Sequence, residues 1–282
     1  MKRLPIILLG LLLAAGAHAG EPAGALALIK RAGVIRLGYL DSAPPFAFDR
    51  GGTPSGYSVD LCAHVARDIG RQLDAPLTVE WVKLTLQNRL AAVREGRVHV
   101  ECGTTTWTLS RQEQVDFSLM TFIDGGTLLV GAGSAVRGLA DLGGKRIGVV
   151  PGTTTDGSLR AALKQRRLSA DVVEVASPDQ GIELLSAGKL DGYASDRLVL
   201  LGLGLSATGA HSFRLLDEDF SVEPYALTLP RGEHDLRLAV NRALARLYRS
   251  GEIQSVFDRW LGPLGSPSML LAALYYLQSI PE

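Results

Sequence analysis

The chain has 282 residues, with 29 Lys and Arg against 29 Asp and Glu, so its formal net charge is zero; 46% of residues are hydrophobic and 21% charged. That balance describes a folded, globular chain, not a disordered one. The neutral total speaks against a nucleic-acid binder or a polybasic membrane-surface protein, both of which carry a basic excess. Two cysteines exclude a disulfide-rich scaffold and a Cys₄ zinc module.

Residues 1–19 read as an address, not as part of the fold. Lys2 and Arg3 precede a run from Leu4 to Ala15 that is apolar apart from Pro5 and Gly10, and Ala17 and Ala19 then supply small residues two apart. This is the pattern of a cleaved secretory signal peptide, and the run is short for a bilayer span of roughly 20 residues. Residues 20–282 are therefore expected to act outside the cytoplasm, which in a Gram-negative host is the periplasm. A later apolar run, Met269 to Leu277, is far too short to cross a membrane.

The expected elements alternate. A short helix over 25–32 leads into a strand over 34–39, which Pro44-Pro45 breaks and the Gly51-Gly52 turn follows. A helix over 58–73 has Leu61, Val65 and Ile69 at i, i+4 and i+8 on its buried stripe. A strand over 77–82, a helix over 86–95 and a strand over 98–102 complete a β-α-β-α-β order, which implies a mostly parallel sheet covered by helices. The pattern restarts with strands over 145–150, 172–175 and 190–194, separated by helices over 153–165 and 180–187 and followed by one over 197–205. A strand over 222–229, a long amphipathic helix marked by Leu236, Val240, Ala243, Leu244 and Leu247, a helix ending at Trp260 and a last helix over 266–277 finish the chain. Two βαβ-type units without a floppy linker predict two α/β lobes with a ligand cleft between them.

Several chemistries lack their residues. Gly143-Gly144-Lys145 has neither the leading glycine spacing nor the Ser/Thr of a P-loop, and no Gly-x-Ser-x-Gly or His-Glu-x-x-His is present. The five histidines, His18, His64, His99, His211 and His234, have no ligand-type partner near them in sequence and read as surface or packing residues, so no metal or cofactor is expected. Cys62 and Cys102 are open to two readings: a disulfide in an oxidising compartment, or two small buried apolar residues.

The stretch 85–118 carries the most information. Thr104, Thr105 and Thr106 follow a buried strand directly, and Arg111 comes five residues after Thr106. Hydroxyls and free backbone N–H groups at a strand end suit an anion, and an arginine can grip a carboxylate with two parallel hydrogen bonds.

At this point the chain resembles the periplasmic solute-binding proteins, family 3, that serve amino-acid ABC transporters, and within them the glutamate/aspartate-binding group. The resemblance spans about residues 25–282. It rests on the ordered segments Gly33–Gly38, Pro45-Phe46, Gly56–Leu61, Gln87-Asn88-Arg89, Glu101–Thr106, Arg111 through Ser118, Leu142 through Thr154, Gly188 through Asp196, and Gly251 through Trp260. It implies a type II periplasmic binding protein fold: a first lobe from 20–121 and 222–282, a second lobe from 122–221, and crossover strands near 120–124 and 220–222. It also implies roles. Arg111 and Thr106 match the groups that clamp the ligand α-carboxylate, Thr104 a residue near the ligand ammonium, and Thr154 a second-lobe donor at a helix N-terminus, where an anion is favoured. Asp196 matches the acid that pairs with the ammonium, although its position also suits an N-cap for the helix over 197–205. Arg89 matches the arginine that meets a distal carboxylate.

The sequence departs from the glutamate/aspartate pattern at three places: Leu40 stands where a second arginine would sit, Leu86 replaces a serine, and Pro178 occupies a place where a histidine is usual. The expected function is capture of a polar or acidic L-amino acid and its delivery, by a monomeric protein, to a permease in the inner membrane. Two rivals share the fold. A cyclohexadienyl dehydratase would need a glutamate as general acid shortly after the aspartate, and Asp196-Arg197-Leu198-Val199-Leu200 has none. A sensor would need a separate receptor.

Overall fold

The computed structural model describes residues 24–206 and 213–281. The expected signal segment and His211 lie outside these residues. Helix α1 (Ala25–Ala32) leads into strand β1 (Val34–Leu40); a small antiparallel sheet follows, made of β2 (Ser42–Ala43), β3 (Ala47–Arg50) and β4 (Thr53–Ser55), and then α2 (Tyr57–Leu73). Next come β5 (Thr78–Leu84), α3 (Arg89–Arg94), β6 (Val100–Glu101), α4 (Leu109–Gln112) and the long β7 (Val115–Gly131). The second unit holds β8 (Arg146–Val149), α5 (Thr154–Gln165), β9 (Asp171–Glu174), α6 (Pro178–Ser186), β10 (Gly192–Asp196), α7 (Arg197–Ser206) and β11 (Phe213–Leu215). The chain closes with β12 (Ser221–Pro230), α8 (His234–Ser250), α9 (Glu252–Trp260) and α10 (Met269–Leu277).

The strands form one path, β5-β1-β6-β12-β7-β10-β8-β9, with β11 paired to β7. β1 runs parallel to β5 and β6, and β8 runs parallel to β9 and β10. Each end of the path is thus one of the two expected βαβ units. The middle is an antiparallel ribbon of β7 and β12, in register from Ser221↔Gly126 to Pro230↔Val115 with irregularities around Ala226. This ribbon joins the lobes; residues 120–124 lie on β7, and Ser221 and Val222 open β12.

The larger apolar core runs from the first lobe into the second: Ile35, Leu37, Leu61, Val65, Ile69 and Leu244 share it with Ile182, Tyr193 and Leu200. Leu128, Val130, Ile147, Val149, Leu159 and Leu163 form a separate core within the second lobe. The stripe expected on α2 is buried in full. Cys62 on α2 and Cys102 after β6 form a disulfide with a Cα separation of 6.1 Å, which resolves the two readings of these residues in favour of the bridge. The bridge pins α2 to the strand end that leads into the threonine run.

Among the local features that differ from expectation, three have a plain physical reason. The helix expected over 86–95 shortens to α3, because Asn88 Oδ1 accepts the Thr85 N–H at 2.9 Å and folds residues 85–88 into a turn. α6 begins at Pro178, two residues early: the Ser177 hydroxyl caps it by accepting the Gln180 N–H, and proline suits the first helical position. The segment 42–55, expected as a break and a turn, pairs as β2–β4, and its sharp exit requires Gly56, whose φ is 126° and whose missing Cβ would collide with the Phe46 carbonyl.

Candidate functional site

The lobes meet across a cleft floored by the β7–β12 ribbon. Two contacts bridge its mouth: Gln87 Nε2 donates to the Ala176 carbonyl at 2.8 Å, and the backbone of Gly202 in α7 packs directly on the Pro44 carbonyl, leaving no room for a Cβ. Inside lies a cavity of about 30 Å³ whose lining includes Arg89, Thr104, Thr106, Arg111, Thr154 and Asp196. All six residues singled out from the sequence therefore come together in one place. The volume suits a water molecule, not an amino acid, so entry of a ligand requires the lobes to part.

From the first lobe, the turn after β6 delivers the threonines. Thr104 and Thr106 line the cavity, whereas Thr105 points inward and is fully buried. Arg111 sits in α4, which Thr108 caps by accepting the Arg111 N–H. Its guanidinium donates to the Thr106 carbonyl at 2.8 Å, which orients both groups toward the cavity. Burial lowers the pKa of Arg111, and the nearby Glu223, Glu101 and Asp196 carboxylates oppose that shift. Arg89, at the start of α3, donates from Nε to the Thr105 hydroxyl at 2.9 Å and from NH1 to the Leu86 carbonyl. Burial, reinforced by Arg111, lowers its pKa to about 10, so it stays protonated at neutral pH.

From the second lobe, Thr154 is the first residue of α5, whose N-cap Thr153 accepts the Asp156 N–H at 3.1 Å. Asp196 ends β10. Its Oδ1 accepts from the Thr155 hydroxyl at 2.8 Å and its Oδ2 from the Tyr225 hydroxyl at 2.5 Å. The alternative reading of Asp196 as the cap of α7 does not match this geometry, since the Leu198 N–H goes to Asp124 Oδ2 at 3.0 Å. Burial raises the pKa of Asp196, and the neighbouring Glu223 carboxylate adds to the rise. Burial together with Asp196 pushes Asp124 from 3.8 up to about 7.

Three residues missed in the sequence complete the site. Tyr225 is locked by an aromatic cluster, with ring centroids 5.3 Å from Phe46 and 6.2 Å from Phe122, and this fixes its hydroxyl on Asp196. Glu101 is fully buried; burial raises the pKa of its carboxyl, the Arg89 and Arg111 guanidinium groups oppose that rise, and its Oε2 accepts from Thr228 at 3.0 Å. Glu223 Oε2 accepts from both the Thr106 and the Thr154 hydroxyls. The available signal was a buried-type strand, Ser221–Pro230, interrupted by Glu223 and Tyr225: polar groups amid apolar ones need partners.

A second cavity of about 240 Å³ adjoins the first and shares Ser42, Ala43, Leu86 and Pro178 with it. Leu40, Leu86 and Pro178 give it apolar walls, and Gln87, Asp41 and Asp179 contribute polar groups; no Lys or Arg lines it among the described residues.

Two α/β lobes joined by a two-strand ribbon, with cationic, hydroxyl and carboxylate groups converging from both sides, define a bilobal binding protein of the type II periplasmic class. Residues 35–263 match the model of the bacterial extracellular solute-binding proteins, family 3, and the chain belongs to that family. It is 31% identical to an L-glutamate/L-aspartate-binding protein of Pseudomonas aeruginosa, over 88% of this chain and 83% of that one. It is 27% identical to an L-cystine-binding protein of Escherichia coli K12, over 85% and 86%. Among solved structures, a periplasmic binding protein from Brucella ovis with glutathione bound superposes with a TM-score of 0.76 at 26% identity, covering 82% of this chain and 73% of that one. An ancestral arginine-binding protein bound to arginine gives 0.73 at 27% identity, covering 82% and 99%. These relatives are binding proteins, and this chain is a solute-binding protein, not an enzyme.

Proposed function

We propose that this protein captures a polar or acidic L-amino acid in the periplasm and delivers it, as a monomer, to the permease of an ABC importer, with residues 20–121 and 222–282 forming the first lobe and 122–221 the second. The observation that carries this reading is the convergence of Arg111 and Thr106 from one lobe with Thr154 and Asp196 from the other on a single cavity. Arg111, Thr106 and the N-terminus of α5 would hold the α-carboxylate, and Asp196 with Thr104 the ammonium. The ligand docks on the first lobe, and the second lobe closes over it; contacts from Thr154 and Asp196 form only on closure and shift the population toward the closed form. The closed pair of lobes is the signal the permease reads.

Arg89 and the kinship with glutamate/aspartate binders support an acidic ligand. The adjoining cavity favours a second reading, a neutral side chain, because no Lys or Arg lines it among the described residues and Arg89 faces the smaller cavity. Thermal unfolding of the purified protein, refolded to strip bound ligand, against the twenty amino acids tests both. A ligand at about 100 times its Kd adds roughly 2.7 kcal/mol of stability. A shift confined to glutamate and aspartate establishes the acidic reading, and a shift with a neutral amino acid the second. No shift with any of them removes amino acids as the ligand class.

A further inference from the structure

The hydroxyls assigned to the ligand carboxylate already serve another carboxylate. Glu223 is buried on β12 opposite Asp124. Its Oε2 accepts from Thr106 Oγ1 at 2.7 Å and from Thr154 Oγ1 at 2.6 Å, and its Oε1 accepts from Ser221 Oγ at 2.6 Å. Thr106 belongs to the first lobe, Thr154 to the second and Glu223 to the ribbon between them, so one oxygen atom ties the two lobes together. We infer that Glu223 is a built-in carboxylate that competes with the ligand carboxylate for the Thr106 and Thr154 hydroxyl protons and thereby sets the affinity of the cleft.

A hydroxyl has a single proton to donate. Bonds of this length to an ionised carboxylate are of the charge-assisted kind, about twice as strong as neutral ones. While both protons point at Glu223, neither is available to a second anion, and the two threonine oxygens, 3.1 Å apart, are themselves within hydrogen-bonding distance. The Arg111 guanidinium also lies in the field of Glu223, which favours its charge as a ligand carboxylate would. Arrival of the ligand therefore exchanges one carboxylate for another at the same donors. The tie exists only until that exchange, so it stabilises the state that competes with binding, and its removal tightens binding.

The inference rests on the amino-acid reading of the cleft, and its test has an arm that does not. Glu223→Gln keeps the side-chain size and one acceptor oxygen but removes the charge. Calorimetric titration with L-glutamate and L-glutamine should give about fivefold tighter binding for whichever of the two the wild type binds, the difference between a charged and a neutral acceptor. Unchanged or weaker binding overturns the inference; weaker binding makes Glu223 a partner of the ligand ammonium. Small-angle scattering of the ligand-free proteins reads the tie directly. The variant should have a larger radius of gyration than the wild type, and equal radii overturn the inference even where neither probe binds. Should Glu223→Gln fail to fold, Glu223→Asp, one methylene short of the hydroxyls, must show the same opening. Absence of an unfolding shift with any of the twenty amino acids, with the scattering difference intact, refutes the ligand class and leaves the tie standing.

Discussion

Replacing Arg111 with alanine should abolish ligand capture and leave a folded protein. The side chain is 8% exposed, so its interactions are only weakly screened. At an effective dielectric of about 20, a carboxylate about 4 Å from the guanidinium gains about 4 kcal/mol. Truncating one partner of a buried, hydrogen-bonded charge pair costs about 2–5 kcal/mol, which corresponds to a loss of affinity of about thirty- to five-thousandfold. The variant also loses the hydrogen bond to the Thr106 carbonyl and one of two cations near Glu101, Asp196 and Glu223, so its melting temperature should fall. Arg111→Lys separates charge from geometry: it keeps the cation without the planar fork and should bind with intermediate affinity. Titration calorimetry with the best wild-type ligand, with near-ultraviolet circular dichroism as the folding control, reads all three proteins. A folded Arg111→Ala that retains affinity within fivefold would refute the carboxylate-clamp reasoning.

Further outcomes are expected at the site and in the scaffold. Arg89→Ala should weaken L-glutamate at least about tenfold more than L-glutamine if Arg89 meets a distal carboxylate, as one buried charge pair is worth that much; equal losses in parallel titrations would leave it a purely structural role on Thr105. Gly202→Ala places a methyl group against the Pro44 carbonyl, so closure and affinity should suffer although the residue is remote from the ligand cavity, and an unchanged Kd would show that this contact does not belong to the closed form. The raised pKa of Asp196 means that pairing with an ammonium is coupled to loss of a proton, so affinity should fall as pH drops through that pKa, by up to about tenfold per unit; Asp124, raised from 3.8 to about 7, holds its proton longer in the folded than in the unfolded chain, so its contribution to stability declines from about pH 4 to pH 7, and Asp124→Asn should flatten that slope in melting curves taken across this range. Replacing Cys62 and Cys102 with serine opens a loop with a sequence separation of 40 and should cost about 4 kcal/mol in urea unfolding, with a cost under about 1 kcal/mol contradicting the loop-entropy account.

Much of the architecture was legible from local pattern. The α2 stripe, the restart of the βαβ order near residue 145 and the αL glycine at 251 between α8 and α9 are local consequences of periodicity and backbone chemistry, and neighbours in sequence decide them. The small β2–β4 sheet was not legible, because its strands are two to four residues long and owe their pairing to the lobe beneath them. β11 was missed for the same reason: it exists as an edge strand against Phe213↔Gly131 to Leu215↔Leu129. The threonine run and nearby Arg111 carry recognisable chemistry even in one dimension, whereas Arg89, Thr154 and Asp196 are singled out only by the family resemblance.

What the chain decided by itself is therefore the inventory: two α/β units, a cleft-forming order of elements, and the charged and hydroxyl groups in their segments. What only the tertiary structure decided is which groups partner which. Tyr225 and Thr155 take Asp196, Asp124 takes the α7 N-terminus that Asp196 also suited, and Glu223 claims the hydroxyls of Thr106 and Thr154, across sequence separations from 29 to 117 residues. Periodicity reports which face of an element is buried, but buried polar atoms need specific partners, and those are fixed by how the ribbon brings two distant lobes to within hydrogen-bonding distance.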